Sequence, residues 1–370
     1  MNMRIALIDP FFEVSHSHWA NGIVDHSRFA VDIFCNKAKH WKWQMIGGTL
    51  ELASRVKSQL RNYDLIIVTD MIDLPSFLGY LTKEKTPPVL LYFHENQITY
   101  PWSETDQDIK SNRDHHYGFM NLRSAYVADY IAFNSEYHFN SFYGAIPKFI
   151  GQFPSIKWPF TIDNLKEKST VIPIGINKKI TTKKPSNATP YFVWNHRWEY
   201  DKGPDKFFNT LFWLDYQKID FKLIVLGKPY VNQPKIFDEA KERLSHNILH
   251  WGYAENKDEY YEKLNMANIA LITGNQDFFG ISVVESIQYG CLPLLPNRLA
   301  YPEHLPAGLN DVALYSEDDM MQNLMQVIRN KSFLNTSSYQ EFITKYHWGN
   351  VIEFYDQVFE EIVHFNSAMT

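Results

Sequence analysis

The sequence predicts an α/β protein with two doubly wound domains, each built on a parallel sheet that helices cover on both faces. The chain has 370 residues, which is more than one hydrophobic core usually serves. Short β-branched runs alternate with amphipathic stretches along its whole length, a pattern typical of parallel sheets. An apolar run interrupted by Pro and Gly, at 171–177, divides this alternation into two sets, and a polar stretch at 178–190 follows it.

The same alternation predicts the individual strands and helices. The strands predicted in the first half are 4–9, 31–35, 63–70, 89–94 and 130–134, and the helices are 50–60 and 117–128. The strands predicted in the second half are 191–196, 221–227, 248–253, 269–273, 292–295 and 312–315, and the helices are 204–216, 234–244, 258–267 and 282–289.

A closing helix is predicted from about 347, because apolar residues recur there with a 3.6-residue period. Those residues are Val351, Phe354, Tyr355, Val358, Phe359 and Ile362. We expect a first domain over 1–172, which the closing helix at about 350–370 joins, and a second domain over 173–349.

The composition narrows the class of function. Hydrophobic residues make up 45% and charged residues 21%, a globular balance that argues against disorder. The net charge of −6 argues against a protein that coats nucleic acid non-specifically. Most of this negative charge lies in the second half, so we expect an anionic partner to bind the first half. Two cysteines build no disulfide framework, and neither a membrane span nor a signal peptide is evident, so we expect a cytoplasmic protein. The aromatic content of 16% suits pockets that stack sugars or bases.

Two cations follow the predicted strand at 191–196. Arg197 and Lys202 precede a helix that Pro204 is well placed to begin. Because ligands of open α/β sheets bind at the carboxyl ends of the strands and helix N-termini attract anions, these cations predict a diphosphate site. The alternative is that both are ordinary surface charges on a loop, and the two residues alone favour neither interpretation.

A second polar group follows the strand at 269–273. Gly280 permits close approach of a ligand to the backbone at the start of a helix. Glu285 lies about one turn into that helix among apolar neighbours, so its carboxylate needs a partner, and ribose hydroxyls are one. Asp277, on the preceding loop, could hold the hydroxyls of a sugar. The alternative for Glu285 is a solvated helix residue, which its apolar neighbours disfavour.

Together, the segments 197–203 and 277–293 resemble the donor site of retaining GT-B glycosyltransferases of the mannosyltransferase and glycogen-synthase type. The run at 171–177 resembles the interdomain hinge of these enzymes, and the closing helix resembles the segment that crosses back to their first domain. The resemblance implies two Rossmann-like domains that face a central cleft, and a nucleotide-sugar donor. Asp277 stands where that family usually has Glu, and so has a shorter reach to the donor sugar.

In the first half, a long polar stretch follows the strand that ends at His94. A connection from 96 to 115 with few aliphatic residues is long, and such loops are often functional. His115 and His116 could be metal ligands or helix-capping residues, and the scarcity of nearby carboxylate and thiol ligands favours capping. The acidic segment 106–108 has no apolar strand before it, so we interpret it as loop polarity and predict no metal site.

The segments 94–102, 113–119, 134–138 and 296–303 are similar to one subgroup, the family that includes the tRNA-queuosine α-mannosyltransferases. The resemblance covers nearly the whole chain. It implies a retaining transfer of a hexose, with GDP-mannose as the expected donor, onto queuosine in the tRNA anticodon loop, without a required metal or other cofactor. Glu13 and Val14 stand where that family has a glycine pair, so we expect the loop there to approach a phosphate or sugar less closely.

The resemblance also implies roles for individual residues. The expected donor-binding residues are Arg197, Lys202, Asp277, Phe279, Gly280, Ile281 and Glu285, and the expected catalytic residues are His94, Asp277, Arg197 and Lys202. The expected acceptor-binding residues are Ser15, His16, Glu95, Asn96, Arg113, His115, His116 and Tyr117. The candidate cations for tRNA phosphates are Lys110, Arg113, Arg123, Lys178, Lys179, Lys183 and Lys184. For any single one of the last four, a place in a solvated linker is the favoured interpretation.

Two other functions stay open at this point. A GT-B glycosyltransferase with a lipid, glycan or small-molecule acceptor often has a basic or amphipathic first-domain surface, and the sequence shows no strong one. A non-catalytic protein that binds a nucleotide-sugar or RNA is the second, supported only by Asp277 and by the missing glycine pair. The base of the donor and the oligomeric state do not follow from the sequence.

Overall fold

The computed structural model of the protein describes residues 3–81, 86–102, 107–111, 115–153, 155–178, 188–229 and 233–369. The chain consists of two compact units, each with its own sheet. Unit 1 contains Met1–Gly175 and Tyr346–Thr370, and unit 2 contains Ile176–Lys345. The predicted α/β architecture is confirmed, because each unit has a six-stranded sheet whose strands pair in parallel.

Unit 1 places its central strands deep in the core. Its strands are β1 (Arg4–Phe12), β2 (Ala30–Lys37), β3 (Leu65–Thr69), β4 (Val89–Phe93), β5 (Tyr130–Phe133) and β6 (Ser169–Val171), in the order β2-β1-β3-β4-β5-β6. Every residue of β3 and β4 is buried, as expected for parallel strands covered on both faces. The helices are Val14–His26, Trp41–Trp43, Thr49–Val56, Leu74–Tyr80, Gln107–Lys110, His115–Val127, Glu136–Ile150, Ile162–Glu167 and Trp348–Met369. A π-helical turn spans Gln44–Gly48 and a 3₁₀ turn spans Leu60–Asn62.

Unit 2 repeats the same design in one continuous stretch of chain. Its strands are β7 (Tyr191–Trp194), β8 (Lys222–Leu226), β9 (Ile248–Gly252), β10 (Ile269–Leu271), β11 (Leu292–Pro296) and β12 (Leu314–Tyr315), in the order β12-β11-β10-β7-β8-β9. The helices are Pro204–Tyr216, Ile236–Arg243, Lys257–Met266, Ile281–Gln288, Asn310–Ala313, Met320–Asn330 and Ser337–Phe342. The 3₁₀ turns are Tyr200–Lys202, Tyr301–His304, Ser332–Leu334 and Ile343–Tyr346, the last of which leads back to unit 1.

The predicted strands begin within two residues of the observed ones, but three local predictions are wrong. The loop expected after the first strand is the start of a helix, because β1 runs to Phe12 and the helix begins at Val14. Residues 312 and 313, predicted as strand, end a short helix before β12. The polar stretch at 96–115 is not all loop, since Gln107–Lys110 forms a helical turn.

The closing helix Trp348–Met369 belongs to unit 1 and is anchored by its first residue. The Trp348 indole is 1% exposed and lies against two glycines. A Cβ atom added at Gly22 would stand 2.0 Å from the indole, and one added at Gly175 would stand 2.3 Å from it. Only glycine therefore leaves room for the ring at these two positions.

The next turns of the closing helix complete the contact with unit 1. The Trp19 indole N–H donates to the Tyr355 hydroxyl at 2.8 Å, and that hydroxyl contacts the Pro173 carbonyl at 3.2 Å. Five of the six apolar positions predicted for this helix are buried. The sixth, Phe354, is 39% exposed, at the solvent edge of the buried face.

We predict that Gly22→Ala lowers the stability of unit 1, because its methyl group overlaps the Trp348 indole. Overpacking of this kind costs about 1–3 kcal/mol, which corresponds to a Tm lower by several degrees. Gly144→Ala, in the helix Glu136–Ile150, is the matched control, since nothing lies within 4 Å of its added methyl. Thermal unfolding of the two variants tests this, and an equal Tm for both would contradict it.

Candidate functional site

A buried ion pair lies at the carboxyl ends of two neighbouring strands of unit 2. Lys202 follows β7 and Asp277 follows β10. The Lys202 ammonium donates to Asp277 Oδ1 at 3.0 Å and to the Gln276 carbonyl at 2.8 Å, and it lies 3.2 Å from Asp201 Oδ2. Two residues predicted to bind the donor are thus in direct contact.

The charges of this pair stabilise each other. Burial disfavours the charge on Lys202, but Asp277 and Asp201 hold its pKa above the usual value. Burial likewise disfavours the Asp277 carboxylate, yet Lys202, His196 and the Tyr301 hydroxyl, which donates at 2.7 Å, hold its pKa below the usual value. Both groups are therefore charged at neutral pH.

Glycines allow the loops around this pair to approach each other closely. Gly203 has a φ of +67°, and an added Cβ would stand 2.2 Å from the Thr273 carbonyl oxygen. The Thr273 hydroxyl also donates to the Gly203 carbonyl at 2.8 Å. Gly280, with a φ of +83°, begins the helix Ile281–Gln288. The sequence thus supplies glycine where the left-handed backbone conformation is needed.

The other predicted donor residues occupy different environments. The Arg197 guanidinium lies 3.3 Å from Glu199 and keeps 41% of its side chain exposed. Its positive charge opposes the charge on Lys202, but less strongly than Asp277 and Asp201 favour it. Phe279 is buried, and its carbonyl contacts His304 Nε2 at 2.6 Å. Ile281 is half-buried in the first turn of its helix.

Glu285 is half-buried and has one strong partner. The Tyr260 hydroxyl donates to Glu285 Oε2 at 2.7 Å, and Asn195 Nδ2 lies 3.3 Å from the same hydroxyl. Burial raises the pKa of Glu285 to about 7, although the bond from Tyr260 favours the ionised form. The carboxylate therefore changes its charge near neutral pH.

Sequence reasoning missed four residues around these groups: Asp201, Tyr260, His196 and Tyr301. His196 Nδ1 lies 2.9 Å from the Ser282 hydroxyl, and burial lowers the pKa of His196 to about 4. The only sequence signal for His196 is its position at the end of a predicted strand. Tyr260 comes from an element distant in sequence, so spacing could not reveal it. Tyr301 lies in the segment 296–303, and the family resemblance of that segment is its sequence signal.

In unit 1, two histidines predicted to be functional are stacked. The rings of His16 and His94 lie 4.1 Å apart with an interplanar angle of 22°. His16 Nδ1 contacts Asp9 Oδ2 at 2.8 Å. Burial opposes a charge on His16, but Asp9, with Asp70 and Glu95, raises its pKa to about 9.

His94 is held at its backbone and leaves one ring nitrogen unengaged. The backbone N–H of His94 donates to Asp70 Oδ1 at 2.7 Å, and its backbone carbonyl accepts from Asn134 Nδ2 at 2.8 Å. Among the residues that the structure describes, none bonds to His94 Nε2. Burial and the neighbouring His16 lower the pKa of His94 well below its usual value, so its imidazole is neutral. A rigid, neutral hydrogen-bonding group results.

The remaining predicted acceptor residues that the structure describes differ in burial and in their partners. Ser15 is exposed, whereas Glu95 is half-buried and accepts from Gln97 Nε2 at 2.8 Å. Asn96 is fully buried and its Oδ1 accepts from the Ile98 and Thr99 amides, so it stabilises a turn. Arg113 lies outside the described residues.

The helix His115–Val127 carries the last three predicted acceptor residues. His115 packs edge-on against Phe149, with ring centroids 5.8 Å apart. His116 is exposed, whereas Tyr117 is buried beside Trp41, with centroids 4.9 Å apart. The His116 and Tyr117 rings contact each other edge-on, with centroids 5.4 Å apart, whereas His115 packs elsewhere.

The candidate cations for RNA also differ. Arg123 pairs with Asp73 and keeps 38% of its side chain exposed, whereas Lys110 and Lys178 are exposed. Lys179, Lys183 and Lys184 lie outside the described residues.

Over the described ranges, no group of three or more His, Cys, Asp or Glu side chains is arranged to hold a metal ion. None of the helices, within the same ranges, is both long and apolar enough to span a bilayer.

Comparisons with solved structures establish the fold. Sucrose-phosphate synthase from Thermosynechococcus elongatus has a TM-score of 0.71 and 13% identity, over 97% of this chain and 99% of that chain. HepE of Anabaena, in complex with UDP, has a TM-score of 0.64 and 14% identity, over 97% of this chain and 100% of that chain. The predicted GT-B fold is confirmed.

Comparisons of sequence establish the family. Residues 4–176 match the family described as tRNA-queuosine alpha-mannosyltransferase N-terminal, and residues 177–355 match glycosyl transferases group 1. A tRNA-queuosine alpha-mannosyltransferase of Drosophila melanogaster is 28% identical over 315 residues, which cover 82% of each chain. The chain therefore belongs to the tRNA-queuosine alpha-mannosyltransferase family of GT-B glycosyltransferases.

Proposed function

We propose that this protein transfers mannose from GDP-mannose onto queuosine in tRNA, with retention of configuration. The match of the whole first half, 4–176, to the N-terminal family of tRNA-queuosine mannosyltransferases carries the proposal. The relative from Drosophila melanogaster, aligned over 82% of both chains, supports the transfer of mannose to queuosine, since it is named a tRNA-queuosine alpha-mannosyltransferase.

The donor would bind to unit 2. Lys202 and Arg197 supply the positive charge that a leaving diphosphate needs, and the N-terminus of the helix Ile281–Gln288 offers further N–H donors. Glu285 accepts the ribose hydroxyls, and Asp277 accepts hydroxyls of the hexose. When the glycosidic bond to phosphate breaks, its electron pair goes to the diphosphate, whose growing negative charge these cations and N–H groups stabilise.

In unit 1, other residues would bind the acceptor, and His94 would be catalytic. Its neutral ring and unengaged Nε2 suit a hydrogen bond to a sugar hydroxyl. In this proposal Asp277 and Glu285 bind hydroxyl groups and do not form a covalent bond to the hexose. Attack on the same face as the leaving phosphate therefore accounts for retention. The acceptor hydroxyl then passes its proton to that phosphate.

A transfer assay tests the proposed function. The protein is incubated with GDP-mannose and either queuosine-containing or unmodified tRNA, and digested tRNA is analysed by mass spectrometry. We expect one hexose to be added to queuosine and none to unmodified tRNA. Transfer from UDP-glucose alone would contradict the donor, and consumption of the donor without a gain in queuosine mass would contradict the acceptor.

We predict that donor affinity rises with pH through about 7, because only ionised Glu285 accepts two ribose hydroxyls. Glu285→Gln should bind GDP-mannose about tenfold more weakly and lose this pH dependence. Tyr260→Phe removes the bond that favours ionisation, so its transition should move to higher pH. Calorimetric titration at several pH values checks this, and a pH-dependent affinity that persists in Glu285→Gln would contradict it.

We predict that His16→Gln moves the acidic limb of the transfer rate to higher pH. Burial and the charge on His16 both lower the pKa of His94, so removal of that charge raises this pKa and allows protonation at milder acidity. Asp9→Asn should act in the same direction, because Asp9 maintains the charge on His16. The rate is measured against pH for all three proteins, and coincident acidic limbs would rule out this coupling.

The ion pair of His16 and Asp9 also affects the stability of the protein. The raised pKa of His16 contributes stability that is fully present below its ordinary value of 6.5 and is lost as the pH rises through about 9. The difference in Tm between the wild-type protein and His16→Gln should therefore shrink over that interval. A difference that grows with pH would contradict the assigned charge.

A further inference from the structure

A basic and aromatic segment of unit 1 takes no part in the proposed chemistry. The segment at 36–50 contains three lysines, two tryptophans and no acidic residue, although the whole chain carries a net charge of −6. Lys37 and Lys39 are exposed, and so is His40. Such interleaving of cations and rings is typical of surfaces that bind nucleic acid.

The backbone of this segment is irregular where the tryptophans lie. His40 has a φ of +53°, an uncommon conformation for a residue with a side chain. Its carbonyl accepts from the Trp43 amide at 2.8 Å, and a π-helical turn follows at Gln44–Gly48. Residues in uncommon backbone conformations and π-helical turns are frequent at functional sites. In this conformation 75% of the Trp43 surface is exposed, which is costly for an indole.

The adjacent lysine fixes the segment to unit 1. The Lys42 ammonium lies 5.6 Å from the ring centroid of Trp41, 5.2 Å from that of Trp102 and 5.7 Å from that of Tyr117. It also pairs with Asp108. Cation–π contacts and an ion pair thus anchor Lys42, and this anchors the backbone next to Trp43 to unit 1.

We infer that Trp43, Lys37 and Lys39 form a docking site for single-stranded RNA, in which an unpaired base stacks on the Trp43 indole while the two lysines contact the flanking phosphates. Charge selects this occupant: the segment is purely basic, and RNA offers both a flat apolar face and regularly spaced anions. The inference rests on the proposed function, because a tRNA loop would be the natural RNA.

Trp43→Ala tests the stacking. Loss of one base–aromatic contact should weaken binding of tRNA about tenfold and raise the KM for tRNA equally, with kcat and donor affinity unchanged. Trp43→Phe should recover most of the affinity. Tyr216→Ala is the matched control, since Tyr216 is 81% exposed at the end of a helix in unit 2 and should have no effect.

The lysines are tested by salt dependence. The double variant Lys37→Ser, Lys39→Ser should reduce the slope of log Kd against log salt by about 1 to 2, since each phosphate contact to a single strand contributes about 0.7. Unchanged tRNA affinity and slope in these variants would overturn the inference. So would a loss of binding to anionic phospholipid vesicles without a loss of binding to RNA.

Failure of the docking site and failure of the proposed function give different results. If the wild-type protein mannosylates queuosine and Trp43→Ala keeps its KM for tRNA, the docking site is wrong and the function stands. If tRNA binding depends on Trp43 but no hexose reaches queuosine, the docking site stands and the proposed function is wrong.

Discussion

The buried ion pair of Lys202 and Asp277 is the constraint around which unit 2 organises its polar residues. Two charges removed from water are tolerated only when they are paired and hydrogen-bonded. Since β7 and β10 are neighbours in the sheet, the loops that follow them meet at one edge, and the pair joins them there. Replacement of Lys202 would leave Asp201 and Asp277 without the cation that they share, so the folding of unit 2 depends on this contact.

Two other groups have a protonation state set by their surroundings, and in opposite ways. In unit 1, His16 is charged because Asp9, with Asp70 and Glu95, outweighs its burial, and burial together with that charge keeps His94 neutral. In unit 2, Glu285 is pushed towards neutrality because burial outweighs the single bond from Tyr260. Such displaced equilibria cluster at functional sites, where a side chain must hold or exchange a proton at physiological pH.

The sequence was sufficient for features that depend on local pattern. The starts of the strands follow from apolar runs, and Pro204 begins its helix as predicted. The hydrogen-bond partners of the site side chains could not be predicted. The bond from Tyr260 to Glu285, for example, joins residues 25 positions apart through tertiary packing. The helix at Val14 was missed for a similar reason: it is secured by burial of His16 and Trp19 rather than by a capping side chain.

The slot that receives Trp348 has a consequence for biosynthesis. Its walls, Gly22 and Gly175, are translated early, but the indole that fills it belongs to the part of the chain made after residue 345. Domains usually acquire their structure in the order in which they leave the ribosome. Here unit 2 is synthesised later but is one continuous stretch, so it can fold first. Unit 1 cannot complete its fold until its last helix has been synthesised. A nascent chain stalled before residue 348 would thus expose apolar surface on its oldest segment, where chaperones and proteases act.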